Sequence, residues 1–184
     1  MSSSAVPAKN LLRRFRRNRR GSAAVEFALV APVFFALLFA IIEVALMFFA
    51  TQVLETVTQE SARYLLTGQA QGASMTQAQF KTYVCSQIPA LFTCANLQVN
   101  VKSYPSFGSI TNTSVFDGNG NFVGATNYCP GNASDTVFVQ LSYQWPLFVT
   151  GLGFNMSNPG THSKWLTATA AFQNEPFSAP ASGC

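Results

Sequence analysis

Charge is what this sequence has least of. Charged residues make up 10% of its 184 positions, against 48% hydrophobic ones. That balance excludes a disordered segment and an ordinary soluble surface. Histidine is almost absent, His162 being the only one. No nucleophile elbow, phosphate-cradling glycine loop or carboxylate pair stands in the chain, so nothing points to an enzyme. No CxxC spacing occurs among the cysteines, which argues against zinc. No internal repeat is visible, and the length allows one small domain beside a membrane segment.

The charges that exist are segregated. Lys9 and six arginines (Arg13, Arg14, Arg16, Arg17, Arg19, Arg20) precede Gly21. The remainder holds four Lys/Arg against seven Asp/Glu, a net of −3. A nucleic-acid reading of the arginine run is weak, because only Phe15 and Asn18 interleave with it and an apolar run follows at once. The positive-inside rule accounts for it better: residues 1–21 form a basic cytoplasmic leader, and everything after Ala50 is translocated.

The apolar run extends from Phe27 to Ile42 without a charge, crosses Glu43 and continues to Ala50. Its 24 residues make about 36 Å of helix, enough to cross a hydrocarbon core of about 30 Å with some tilt. It is too long for the apolar part of a secretory signal, no A-x-A site follows it, and a carboxylate at its start argues against a twin-arginine signal. The helix should start near Ser22, with Ser22 as its cap and Glu26 in about the first turn, where the macrodipole favours negative charge. Pro32 within it is tolerable in a membrane as a kink. Past Ala50, Val53, Leu54, Val57, Ser61, Tyr64 and Leu65 recur at three- and four-residue spacing, so residues 51–67 continue as an amphipathic arm, with Gly68 as the stop.

Residues 68–184 read as a small exported domain. Gln69 to Thr76 is a polar linker, and Phe80, Val84 and Ile88 mark a short helix ended by Pro89. The period then switches to two, giving strands at Leu97–Val101, Val137–Tyr143 and Trp165–Phe172. Asp117-Gly118-Asn119-Gly120 suggests a hairpin turn within the long loop from Pro105 to Asp135. It also resembles the start of a calcium loop, but Phe122 and Tyr128 stand where such a loop needs glycine and glutamate. His162, Lys164 and Asp135 are isolated. Cys85, Cys94, Cys129 and Cys184 all fall on the translocated side, where an even count favours disulfides. Of the three pairings, Cys85–Cys94 and Cys129–Cys184 are expected, one closing a short loop over Pro89 and the other pinning the C-terminus. The fold class is therefore α+β: a long transmembrane and amphipathic helix, then a disulfide-stapled domain with a short helix and an antiparallel sheet.

The stretch Arg20-Gly21-Ser22-Ala23-Ala24-Val25-Glu26-Phe27-Ala28-Leu29-Val30-Ala31-Pro32, with Ile41-Ile42-Glu43 behind it, resembles the amino-terminal motif of the TadE-like proteins. These are minor pilins (pseudopilins) of the tight-adherence pilus, in the type IV pilus superfamily. Asn174-Glu175-Pro176-Phe177 is a weaker echo of the same family. The resemblance implies a pilin-like, non-enzymatic subunit without cofactor, metal or small-molecule substrate. It implies cleavage by a prepilin peptidase between Gly21 and Ser22. Partners would be that peptidase, the major pilin, other minor pilins and the inner-membrane assembly platform. The protein would wait in the inner membrane as a single-pass protein with its domain in the periplasm, and could pass into the extracellular pilus. Cleavage would leave Ser22 with a free ammonium one turn from Glu26, so that the two charges could pair within or between subunits. Glu43 is a second carboxylate in the apolar run, and its place there is a functional question by itself. The alternative is an uncleaved single-pass protein whose envelope domain binds a ligand or another protein.

Overall fold

The computed structural model describes residues 21–111, 115–119, 121–124, 126–148, 157–158 and 162–178. They group into two compact units that divide at Glu43. The basic leader before Gly21 lies outside the described residues.

Helix α1 runs Ser22–Leu66, 45 residues with Pro32 inside it. Ser22 is already helical, so it is not the cap, and no acidic residue stands in the first turn. Glu26 belongs to the second turn, one step further from the helix N-terminus than the motif suggests. In the second unit the buried positions of α1 are Glu43, Ala50, Leu54, Val57, Thr58, Ser61, Ala62 and Leu65. Their three- and four-residue spacing is one stripe of a helix. Val53 and Tyr64, also expected on that stripe, are half-buried at its margin.

Gly68 ends the helix in a left-handed conformation, φ 73°, and its N–H donates to the Leu65 carbonyl at 3.0 Å. Space as well as φ demands glycine there. A Cβ on Gly68 would fall 2.6 Å from the ring of Phe177. Gly68→Ala is expected to lower the unfolding free energy by about 1–3 kcal/mol, through strain and displacement of that ring. A denaturant midpoint equal to that of the parent would refute this.

The segment expected to be a polar linker contains a one-turn helix, α2, Gln69–Gly72, with Ala70 and Gln71 buried. The Gln71 amide donates to the Pro130 carbonyl at 2.9 Å, which is why a polar residue goes inside. Helix α3, Gln77–Gln87, opens with a capping box between Thr76 and Gln79. It buries Phe80 and Val84. Its C-terminal end is tied by the Cys85–Cys94 disulfide, Cα–Cα 5.7 Å. No cysteine is free among the described residues, and Cys129 is disulfide-bonded. The expected partner Cys184 lies outside the described residues.

Strands β1 (Leu97–Tyr104), β2 (Thr136–Pro146) and β3 (Ser163–Gln173) form an antiparallel sheet in the order β1-β2-β3. Val99 pairs with Leu141, and Leu141 with Ala168. Alternation puts Val137, Val139, Leu141, Tyr143 and Trp145 on one face with Leu166 and Ala168, and one buried cluster joins them to Ala50, Leu54, Val57 and Leu65 of α1. The Asp117 turn is a hairpin: Phe116 bridges Phe122 antiparallel, and the Asp117 carboxylate accepts the N–H groups of Asn119 and Asn121 at 2.9 and 2.8 Å. Gly120 lies outside the described residues. Phe116 and Phe122 pack on Trp165, at 5.2 and 5.6 Å.

Tyr128 stands 5.3 Å from Phe80, ring to ring, and its buried hydroxyl has no hydrogen-bond partner among the described residues. Burial, aided by Tyr64, pushes its pKa from 10.0 up to about 12. The folded state therefore favours the neutral phenol. Its contribution is complete below the unfolded pKa of 10.0 and is lost as pH rises through about 12. Burial also raises Tyr83, with smaller effects from Tyr64 and Glu60. Tyr128→Phe is expected to flatten most of the decline in the urea midpoint between pH of about 10 and about 12. The same decline in the variant would assign it elsewhere.

Candidate processing and assembly site

The candidate site occupies the start of α1. Gly21 stands directly before Ser22, where α1 begins, and a Cβ at Gly21 would meet nothing within 4 Å. Ser22 through Val30 are exposed along the helix, Glu26 among them. Ser22 and Glu26 are four residues apart, so both fall on one side of the helix, about 6 Å apart along its axis. Glu43 follows seventeen positions later in the sequence and belongs to the second unit.

The surroundings of the two carboxylates differ. Glu26 is exposed among apolar side chains, whereas Glu43 is 7% exposed. Within its own unit the Glu43 carboxylate accepts a hydrogen bond from the backbone N–H of Phe148, just beyond β2. Sequence spacing could not show that partner, because it comes from 105 positions away.

The stretch Asn174-Glu175-Pro176-Phe177, near the C-terminus, also has a place. The Asn174 amide donates to the carbonyls of Pro130 and Asn132, both at 2.9 Å. The Glu175 N–H donates to the Leu66 carbonyl at 3.0 Å. That bond satisfies one of the carbonyls that every helix leaves open at its C-terminus. Phe177 covers Gly68. The motif thus closes the helix end, and the sequence signal for that role is the glycine stop to which it returns.

Among the isolated polar residues, Asp135 accepts the Asn132 N–H at 2.7 Å and so shapes the turn before β2. His162 offers its backbone carbonyl to the Leu147 N–H at 2.9 Å. Lys164 pairs with Trp145 across the sheet. These positions serve the fold. Among the described residues, no group of three or more His, Cys, Asp or Glu is placed to hold a metal ion.

Residues 21–63 match the family model of the TadE-like proteins. This segment is TadE-like. The match begins at Gly21 and ends at Arg63, so it covers the candidate site, Pro32, Glu43 and most of α1. No curated protein and no solved structure matches the chain. The family whose model this segment matches is associated with Tad pilus systems. The helix is long and apolar enough to cross a membrane, which fits a single-pass membrane protein.

Proposed function

We propose that this chain is a minor pilin of a Tad-type adhesion pilus. In this reading a prepilin peptidase removes residues 1–21, and the mature subunit takes part in pilus assembly through α1. The observation that carries the reading is the TadE-like match that starts at Gly21, directly before an exposed apolar helix. The arginine-rich leader supports a cytoplasmic N-terminus, with the domain on the periplasmic side of the inner membrane. The peptidase, the major pilin, other minor pilins and the assembly platform are the proposed partners. Ser22 would gain a free ammonium on cleavage, one turn from Glu26, and the pair would offset much of the cost of burying either charge between packed helices.

Mass spectrometry of the protein from the envelope is expected to find Ser22 as the first residue. Replacing Gly21 by a bulky residue is expected to leave a product heavier by the leader, because glycine lets the backbone enter a protease site in extended form. An intact leader in cells with normal pili would reject this reading and favour the uncleaved anchor.

A further inference from the structure

We propose that Phe148 inserts into the outer interfacial layer of the bilayer, so that the exported domain touches lipid directly as well as being tethered through α1. The proposal rests on reading α1 as the membrane span. Strand β2 ends at Pro146, and the Leu147 N–H donates to the His162 carbonyl at 2.9 Å, fixing the chain as it leaves the sheet. Leu147 is buried. The next N–H, that of Phe148, donates to the Glu43 carboxylate. This bond holds Phe148 at the level of Glu43 on α1, inside the apolar run that ends at Ala50.

The Phe148 side chain is 84% exposed, more than any other exposed large hydrophobic residue among those described. It is not isolated. The neighbouring turns of α1 present Leu46, Phe48 and Phe49 to the outside as well. In water this collection would be an unfavourable apolar surface; at a lipid interface it is an anchor, since aromatic rings favour that zone. The sequence supports such a location, because no Asp, Glu, Lys or Arg stands between Asp135 and Lys164. The same contact explains how a carboxylate is tolerated in the apolar run. Glu43 turns to a backbone N–H of the domain and is covered by it, instead of facing hydrocarbon.

The test uses the full chain reconstituted in phosphatidylcholine vesicles, with and without lipids brominated on the upper acyl chain. Phe148→Trp adds an emitter at a position whose exposed side chain holds no core together. The emission it adds over the parent is expected to be quenched at least about twofold by brominated lipid and shielded from aqueous iodide. Phe34→Trp, in the first half of α1, reports on the span itself. If Phe34→Trp is quenched by lipid while Phe148→Trp is quenched only by iodide, the proposal is wrong and the span stands. If neither responds to brominated lipid, the span reading fails and the proposal fails with it.

Discussion

Cells carrying Glu26→Ala are expected to hold a correctly sized, membrane-inserted protein and to assemble no pili. Removing a carboxylate makes the span more hydrophobic, so insertion should not suffer. Gly21 and Ser22 are untouched, so the mature mass should be that of the parent less the side-chain difference. The loss falls on the contact between subunits. An ammonium on Ser22 would then have to be buried without its partner, and breaking a buried pair in this way costs about 3–5 kcal/mol. That is roughly a hundredfold to several-thousandfold in an association constant. Glu26→Gln keeps some hydrogen bonding but not the charge, and is expected to fall near the alanine result. The measurement is the amount of pili sheared from cells, beside an immunoblot of the membrane fraction. Normal pilus yield from Glu26→Ala would show that the carboxylate is only an interface residue.

Phe80→Ala is expected to fail for the opposite reason, by loss of the folded domain. Phe80 is fully buried on α3, its ring 5.3 Å from Tyr128 and 6.2 Å from Tyr83. Truncating such a residue removes its transfer energy and leaves a cavity, at a cost of about 3–5 kcal/mol. A small domain holds about 5–15 kcal/mol in total, so a large part of its stability would go. Leu91, which is exposed, should tolerate alanine to within about 0.5 kcal/mol. Denaturant unfolding of the purified protein decides the comparison, and a Phe80→Ala midpoint close to that of Leu91→Ala would contradict it. The two large effects separate cleanly. Glu26→Ala should leave the unfolding curve unchanged, whereas Phe80→Ala should lower both stability and cellular abundance.

Much of this architecture was legible because its signals are local. Alternation from Val137 to Tyr143 reports a half-buried strand, and the structure pairs that strand on both sides. The stripe from Leu54 to Leu65 reports a helix face, and Gly68 its end. Cys85 and Cys94 lie close enough in sequence for their bridge to be read from spacing, and they are joined. What escaped depends on partners far along the chain. Gln71 looked like linker because it is polar, and it is buried because the Pro130 carbonyl lies 59 positions away. Glu43 looked like an unaccompanied charge in an apolar run because Phe148 could not be placed beside it. The Ser22 and Glu26 offsets failed for a different reason. A helix boundary moves by a residue or two, and cap and first turn move with it. The candidate processing site was legible as a motif because its residues are consecutive, but a motif does not display cleavage or pairing.

The closure at the end of α1 bears on how this protein can change over time. The chain leaves the helix at Leu66 and returns to the same carbonyl through Glu175, while Phe177 seats on Gly68. Residues between those points form an excursion that begins and finishes at one place. Segments whose ends lie side by side accept insertion and replacement more readily than others, because a change in their length does not move what they are attached to. The TadE-like match stops at Arg63, three residues short of that closure. The loops of that excursion can therefore change length without moving the helix end, provided the returning tail still finds it and the sheet still covers Ala50, Leu54, Val57 and Leu65.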